Sequence, residues 1–121
     1  MWGESSSHED LGGRPLRDAE RDLIIAMLGG EKTVELDKLR VNDAVDGDMG
    51  GIKFLKLRQS EHSFGRAIAE AQYVDADDIL VSVVLNIDKS GDLLELDFWK
   101  VDFSPLQIYP KVTQIKLVNK S

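Results

Sequence analysis

The run Ile79-Leu80-Val81-Ser82-Val83-Val84-Leu85-Asn86-Ile87, then Asp88-Lys89-Ser90-Gly91-Asp92, then Leu93 to Phe103, most limits what this chain can fold into. Ile79, Val81, Val83, Leu85 and Ile87 recur at every second position, the period of a strand with one buried face. Ser82 and Asn86 make the opposite face partly polar. The Asp/Ser/Gly interval supplies residues that tolerate positive φ, as a hairpin turn requires. The return arm alternates in the same way, with Leu94, Leu96 and Phe98 on one face and Glu95, Asp97, Trp99, Val101 and Phe103 on the other. Ser104-Pro105 closes it, because proline has no N–H to give to a ladder. A lone two-stranded ribbon is barely stable in water, so the remaining chain must supply more sheet and a cover for its apolar face.

The cover is a predicted helix over Pro15–Leu28. Leu16, Ala19, Leu23, Ala26 and Met27 follow three-to-four spacing, and Ile24 and Leu28 widen the stripe. Asp18, Glu20 and Asp22 lie in or near its first turn, where acids complement the dipole. Gly29-Gly30 supplies the stop. Further strands are expected over Ile52–Leu57, Phe64–Val74 and, at an edge with lysines that discourage further pairing, Thr113–Val118. Thr33–Val41 reads as a strand with a phase break, though its residues also suit a short helical turn. Phe64–Val74 contains helix-favouring alanines. It nonetheless leads through Asp75-Ala76-Asp77-Asp78 straight into the clearest strand, and small side chains suit a strand lying close under a helix. Asn42–Gly51 and Arg58–Ser63 read as turns. The expected class is α+β: an N-terminal helix packed on an antiparallel meander sheet of five or six strands.

A chain of 121 residues fits one domain and buries roughly two-thirds of its unfolded surface. Residues 1–13, rich in Ser, Gly and acids, read as a flexible leader that holds Trp2 and His8, and 14–121 as a single domain. The chain has no cysteine, which excludes disulfides and thiol chemistry. No apolar run approaches the roughly 20 residues of a membrane span, and no export signal heads the chain, so the expected compartment is the cytoplasm. The net charge of −7 is uneven: residues 75–103 hold 8 acids against 2 bases, whereas residues 104–121 hold 3 lysines and no acid. An acidic surface repels phosphate backbones, which argues against a nucleic-acid partner, and it attracts a basic protein.

No catalytic constellation is assembled. Asp88, Ser90 and Asp92 have the alternate-oxygen spacing of a calcium loop, but Glu95 comes too early to be its closing ligand, so a hairpin turn is the simpler reading. Glu95 and Asp97 share a strand face about 7 Å apart, yet no pocket signature surrounds them. His8 and His62 stand apart from any serine-and-acid grouping. The expectation is therefore no enzyme, no metal and no cofactor. Trp99, Phe103 and Tyr109, interleaved with Asp97 and Asp102, read either as a second apolar layer under the C-terminal segment or as aromatic anchors rimmed by carboxylates.

Three segments, RPLRDAERDLI, DGDMGGIKF and NIDKSGDLLELDFWKVDFSPL, resemble a family of small, largely uncharacterised bacterial domains. The last of these motifs is the specific one. Arg17 stands where a Ser or Thr helix cap is expected, and Gly51 where Ser follows Met-Gly. Small acidic proteins of this kind serve as immunity partners of secreted toxins, including those of contact-dependent inhibition systems. The resemblance thus implies a non-enzymatic cytoplasmic antitoxin. Taken with the localised charge, it sets the expectation of an immunity protein that binds a cognate toxin, a basic nuclease, as a monomer in a one-to-one complex. Asp75, Asp77, Asp78, Asp88, Glu95, Asp97 and Asp102 would steer the encounter, and Trp99 and Tyr109 would anchor it. The rival expectation is a small-molecule or metal-binding regulatory module.

Overall fold

A computed structural model describes residues 12–30, 36–44, 50–55 and 63–118. Trp2, His8, His62, most of the expected leader and the end of the expected strand at Lys56-Leu57 lie outside them. Among the described residues seven strands form one antiparallel sheet: β1 (Arg14–Pro15), β2 (Arg40–Asp43), β3 (Ile52–Phe54), β4 (Phe64–Val74), β5 (Leu80–Asp88), β6 (Leu93–Lys100) and β7 (Lys116–Leu117). Among the described residues there is one α-helix, α1 (Asp18–Met27). The strand order is β1-β2-β3-β6-β5-β4-β7. Only β4-β5-β6 run as a meander. The β2–β3 hairpin then docks on β6 through Ile52 opposite Leu96 and Lys53 opposite Glu95. The expected meander of five or six strands is corrected accordingly, because β3 pairs with the strand farthest from it in the hairpin series.

The register puts Val81, Val83 and Leu85 of β5 opposite Lys100, Phe98 and Leu96 of β6, all on one face. Ala71 and Tyr73 of β4 extend that face on one side, and Ile52, Phe54 and Val41 on the other. These residues are buried together with Leu23, Ile24 and Met27 of α1, so the helix covers this face. Residues 105–115 lie over the same face: Leu106, Tyr109 and Ile115 pack on the core, and the Tyr73 hydroxyl donates to the Ile108 carbonyl at 3.0 Å. At the start of β6 the register slips between Asn86 and Ile87, and Ile87 faces Leu93. Leu93 is buried and Leu94 is not, the reverse of the alternation read from sequence. A bulge inserts one residue and flips the side chains beyond it. Of the stretch Thr33–Val41, residues 33–35 lie outside the described residues; the rest forms a 3₁₀ turn at Leu36–Lys38 followed by β2 from Arg40.

Pro15 belongs to β1 rather than to the first helical turn. Arg17 is the N-cap and has no side-chain acceptor to offer, so half of a capping box remains: its N–H donates to Glu20 Oε1 at 2.8 Å. The same carboxylate takes a bidentate pair from Arg14 at 2.9 and 2.8 Å, and Arg14 also reaches Asp43 at 2.8 Å. Burial alone would raise the Glu20 pKa, but Arg14 and the Arg17 N–H outweigh it and hold the group below its ordinary value. This cluster ties β1, the helix start and β2 together. At the other end of the helix, Gly30 N–H bonds the Ile25 carbonyl and Gly29 N–H the Ala26 carbonyl, with φ of 86° and 79°. That is a Schellman stop, and it needs the left-handed region. Gly29→Ala is expected to lower unfolding stability by about 1–2 kcal/mol, measured by denaturant melts, because the added Cβ is strained even though nothing lies within contact of it.

Gly65 is required for space. A Cβ there would sit 2.5 Å from the Asp88 carbonyl oxygen, where β4 crosses the β5–β6 turn beside a register shift.

Candidate functional site: the uncovered sheet face

The opposite face of β4, β5 and β6 carries Val74, Leu80, Ser82, Val84, Trp99 and Val101, set there by the period-two alternation that buries their neighbours. Val74 pairs with Leu80, and Ser82 with Trp99. Val101 N–H donates to the Leu80 carbonyl at 3.2 Å, which carries the ladder one step past β6. At this end of the sheet the large apolar side chains are open to solvent: Trp99 is 55% exposed, Val101 51% and Phe103 69%. The Trp99 and Phe103 rings meet edge to face, with centroids 5.2 Å apart and planes at 74°. That is the favoured geometry of an aromatic pair. Asp97 lies two residues before Trp99 on the same face, and Asp102 and Asp78 stand exposed in the adjoining turns.

The return strand ends at Lys100, three residues earlier than its alternation suggests. Phe103 N–H turns back to the Lys100 carbonyl at 2.9 Å, and Phe103 adopts φ 62°. Asp102 fixes this turn by accepting from Ser104 N and Ser104 Oγ at 3.0 and 2.7 Å. Those bonds hold the Asp102 carboxylate below the usual range and keep it charged.

Lys100 itself points into the core and is fully buried. Its three ammonium donors are all used: Asp75 Oδ2 at 2.8 Å, Asp77 Oδ2 at 2.7 Å and the Pro105 carbonyl at 3.1 Å. Asp75 is 3% exposed and also accepts from the N–H groups of Ala76, Gln107 and Ile108 at 2.7, 2.8 and 3.0 Å. Burial would push the Asp75 pKa up. The Lys100 bond and the backbone donors overcome that and hold it at about 2. The latch joins the β4–β5 turn, the end of β6 and the chain over the helix-side face. It also grips the Phe103 turn at both ends, through the Lys100 carbonyl and the Pro105 carbonyl.

The nine residues expected to meet a partner therefore separate. Asp97, Trp99 and Asp102 come together on or beside the uncovered face, and exposed Asp78 lies at the same end in the β4–β5 turn. Asp75 is committed to the latch, and Asp77 is partly so, its carboxylate also meeting Gln107 Nε2 at 3.3 Å. Asp88 is buried and accepts from the N–H groups of Ser90 and Asp92, so it builds the hairpin turn. That inward carboxylate also answers the calcium-loop spacing. Glu95 is half-buried and accepts from Asn86 Nδ2 at 3.0 Å. Tyr109 packs on Phe98 on the helix-side face, 5.3 Å between centroids, away from Trp99. Sequence reasoning did not single out Val74, Leu80 or Val101. Their signal was the alternation itself, since each falls on the face of Trp99.

A cavity of about 390 Å3, lined by Gly65, Arg66, Ile87 and the Asp88–Gly91 turn, opens at the other end of β5, remote from Trp99. Among the described residues no group of three or more His, Cys, Asp or Glu side chains converges as a metal site. No described helix is long and apolar enough to cross a membrane.

Residues 13–110 match a family described as a domain of unknown function (DUF6984), and the chain belongs to that family. Neither the curated proteins nor the solved structures contain a match to it.

Proposed function

We propose that this DUF6984 member is a protein-binding domain that docks a basic protein on the Trp99 end of its uncovered sheet face, and that it acts as an immunity protein for a cognate toxin. The observation that carries the reading is the solvent-open Trp99–Phe103 pair, continuous with Val74, Leu80 and Val101 and bordered by Asp78, Asp97 and Asp102. Contiguous apolar surface with a polar rim is the anatomy of a protein interface, and aromatic side chains lead the energetics of such surfaces. The acidic rim selects for a basic partner and speeds encounter. It also disfavours a second copy of this chain, whose own rim would meet it with like charge.

The domain would act in the cytoplasm as a non-catalytic monomer bound one-to-one to the toxin, with a basic nuclease as the toxin class that fits the charge. Co-expression tests this. A toxic domain encoded beside this gene should kill cells carrying an empty plasmid and spare cells producing this protein. Equal killing in both, with the protein soluble, refutes the immunity role.

A further inference from the structure

Resting on that docking reading, we infer that the buried Lys100–Asp75–Asp77 cluster is a positioning device for the docking end: it fixes how the chain leaves β6 and so holds Phe103 against Trp99 before a partner arrives. Lys100 stands opposite Val81 on the face of Phe98 and Leu96, where an apolar side chain would simply extend the core. The chain instead buries an ammonium there and the Asp75 carboxylate beside it, neither side chain keeping any exposed surface. Taking two charges out of water is so costly that an apolar pair of similar volume is often as stable or more so. Stability alone therefore does not account for the cluster. Its bonds differ from apolar contacts in having direction, and a fully bonded polar cluster specifies one arrangement of the segments it joins.

Those segments are the ones that frame the docking end. Lys100 Nζ reaches Asp75 and Asp77 in the β4–β5 turn and the Pro105 carbonyl beyond β6. Asp75 in turn accepts from the Gln107 and Ile108 N–H groups. Residues 101–104 are thus clamped on both sides by bonds that converge on Lys100 and Asp75. Along this stretch the chain passes from one face of the sheet to the other: Val101 and Phe103 are open to solvent, whereas Leu106 and Tyr109 pack on the core. Trp99 is held by the β5–β6 ladder, opposite Ser82. Phe103 lies past the end of that ladder and outside the core cluster. Its contact with Trp99 joins two side chains that are each more than half exposed, a weak restraint by itself. The clamp therefore sets the ring's position from the buried side, and an aromatic pair placed in advance lowers the ordering cost of binding.

The test compares wild type with Lys100→Met/Asp75→Asn. This double variant removes both charges, fills the Lys100 position with an unbranched apolar chain and keeps an oxygen for the Ala76 and Ile108 N–H groups. In wild type, NMR of the full chain should show nuclear Overhauser contacts between the Trp99 and Phe103 rings. In the double variant the amide shifts of Val81, Val83 and Leu85 should persist and the melting temperature should exceed that of Asp75→Ala, while the ring contacts are lost. Binding of the proposed cognate toxin domain should weaken about two- to tenfold, the cost of reordering one side chain at an interface. Undiminished ring contacts in the folded variant overturn the positioning role and leave the cluster a matter of stability. Wild type supplies a second test: the Phe103 N–H, bonded to the Lys100 carbonyl in an exposed turn, should exchange far more slowly than an unprotected amide. Exchange at the unprotected rate overturns the proposal whether or not the double variant folds. Trp99→Ala separates this inference from the docking reading. If it loses toxin binding while the double variant keeps its ring contacts, the positioning role falls and docking stands; if Trp99→Ala binds undiminished, the docking reading falls, and with it any role of the cluster in binding.

Discussion

Asp75→Ala is expected to lower the unfolding free energy by about 3–5 kcal/mol, the usual result of removing one partner from a buried ion pair. The variant strands more than a charge. Lys100 keeps Asp77 and the Pro105 carbonyl, but the N–H groups of Gln107 and Ile108 lose the acceptor of their part-buried bonds. Each buried donor left unmade adds to the penalty. The melting temperature should fall by at least about 10 °C, and denaturant melts give the free energy directly. The same group is expected to contribute to the acid sensitivity of the fold. Asp75 is held at about 2 when folded, against roughly 3.9 in an unfolded chain. A carboxylate depressed by folding contributes stability above its unfolded pKa and loses it as pH falls toward the folded value. Wild-type stability should therefore decline as pH drops from about 4 to 2, and the decline should be shallower in Asp75→Ala. An equal slope in both proteins would place the acid sensitivity elsewhere, with Glu20 beside Arg14 the next carboxylate to examine.

If the domain docks a toxin as proposed, Trp99→Ala is expected to weaken that binding at least about 30-fold, the range of an interface hot spot, while leaving the fold intact. The side chain lies outside the core cluster, so its removal opens no cavity. It does remove the indole from the face and leaves Phe103 without its ring contact. In the proposed complex raising salt should act differently, slowing an association steered by the acidic rim, with a smaller effect on dissociation.

The sequence carried the central sheet legibly because its alternation is strong. Val81, Val83 and Leu85 face Lys100, Phe98 and Leu96 as their period requires. The same alternation placed Lys100 on the buried face, and a lysine there demands partners. Asp75 and Asp77 were the available acids, yet their pairing with Lys100 depends on the β4–β5 turn standing beside the end of β6, a relation fixed only by the strand order. Reading all acids between 75 and 102 as one surface failed for that reason: Asp75 and Asp88 were spent inside the fold on a cation and on turn N–H groups. Leu94 was misplaced because a bulge leaves no mark in a hydrophobic pattern. Tyr109 was misplaced because proximity to Trp99 in sequence says nothing about which face the chain crosses after Pro105. The docking of β3 on β6 was equally hidden, since it rests on a pairing of Ile52 with Leu96 across more than forty residues.

The central claim is that the Trp99 end of the uncovered face, and not the acidity of the whole surface, binds the partner. Calorimetric titration of the proposed cognate toxin domain into wild type, Trp99→Ala and Asp22→Asn measures it, Asp22 being an exposed acid on the helix-side surface. Docking on the open face predicts tight one-to-one binding by wild type and Asp22→Asn and a loss of at least about 30-fold in Trp99→Ala. Undiminished binding by a folded Trp99→Ala protein would contradict it.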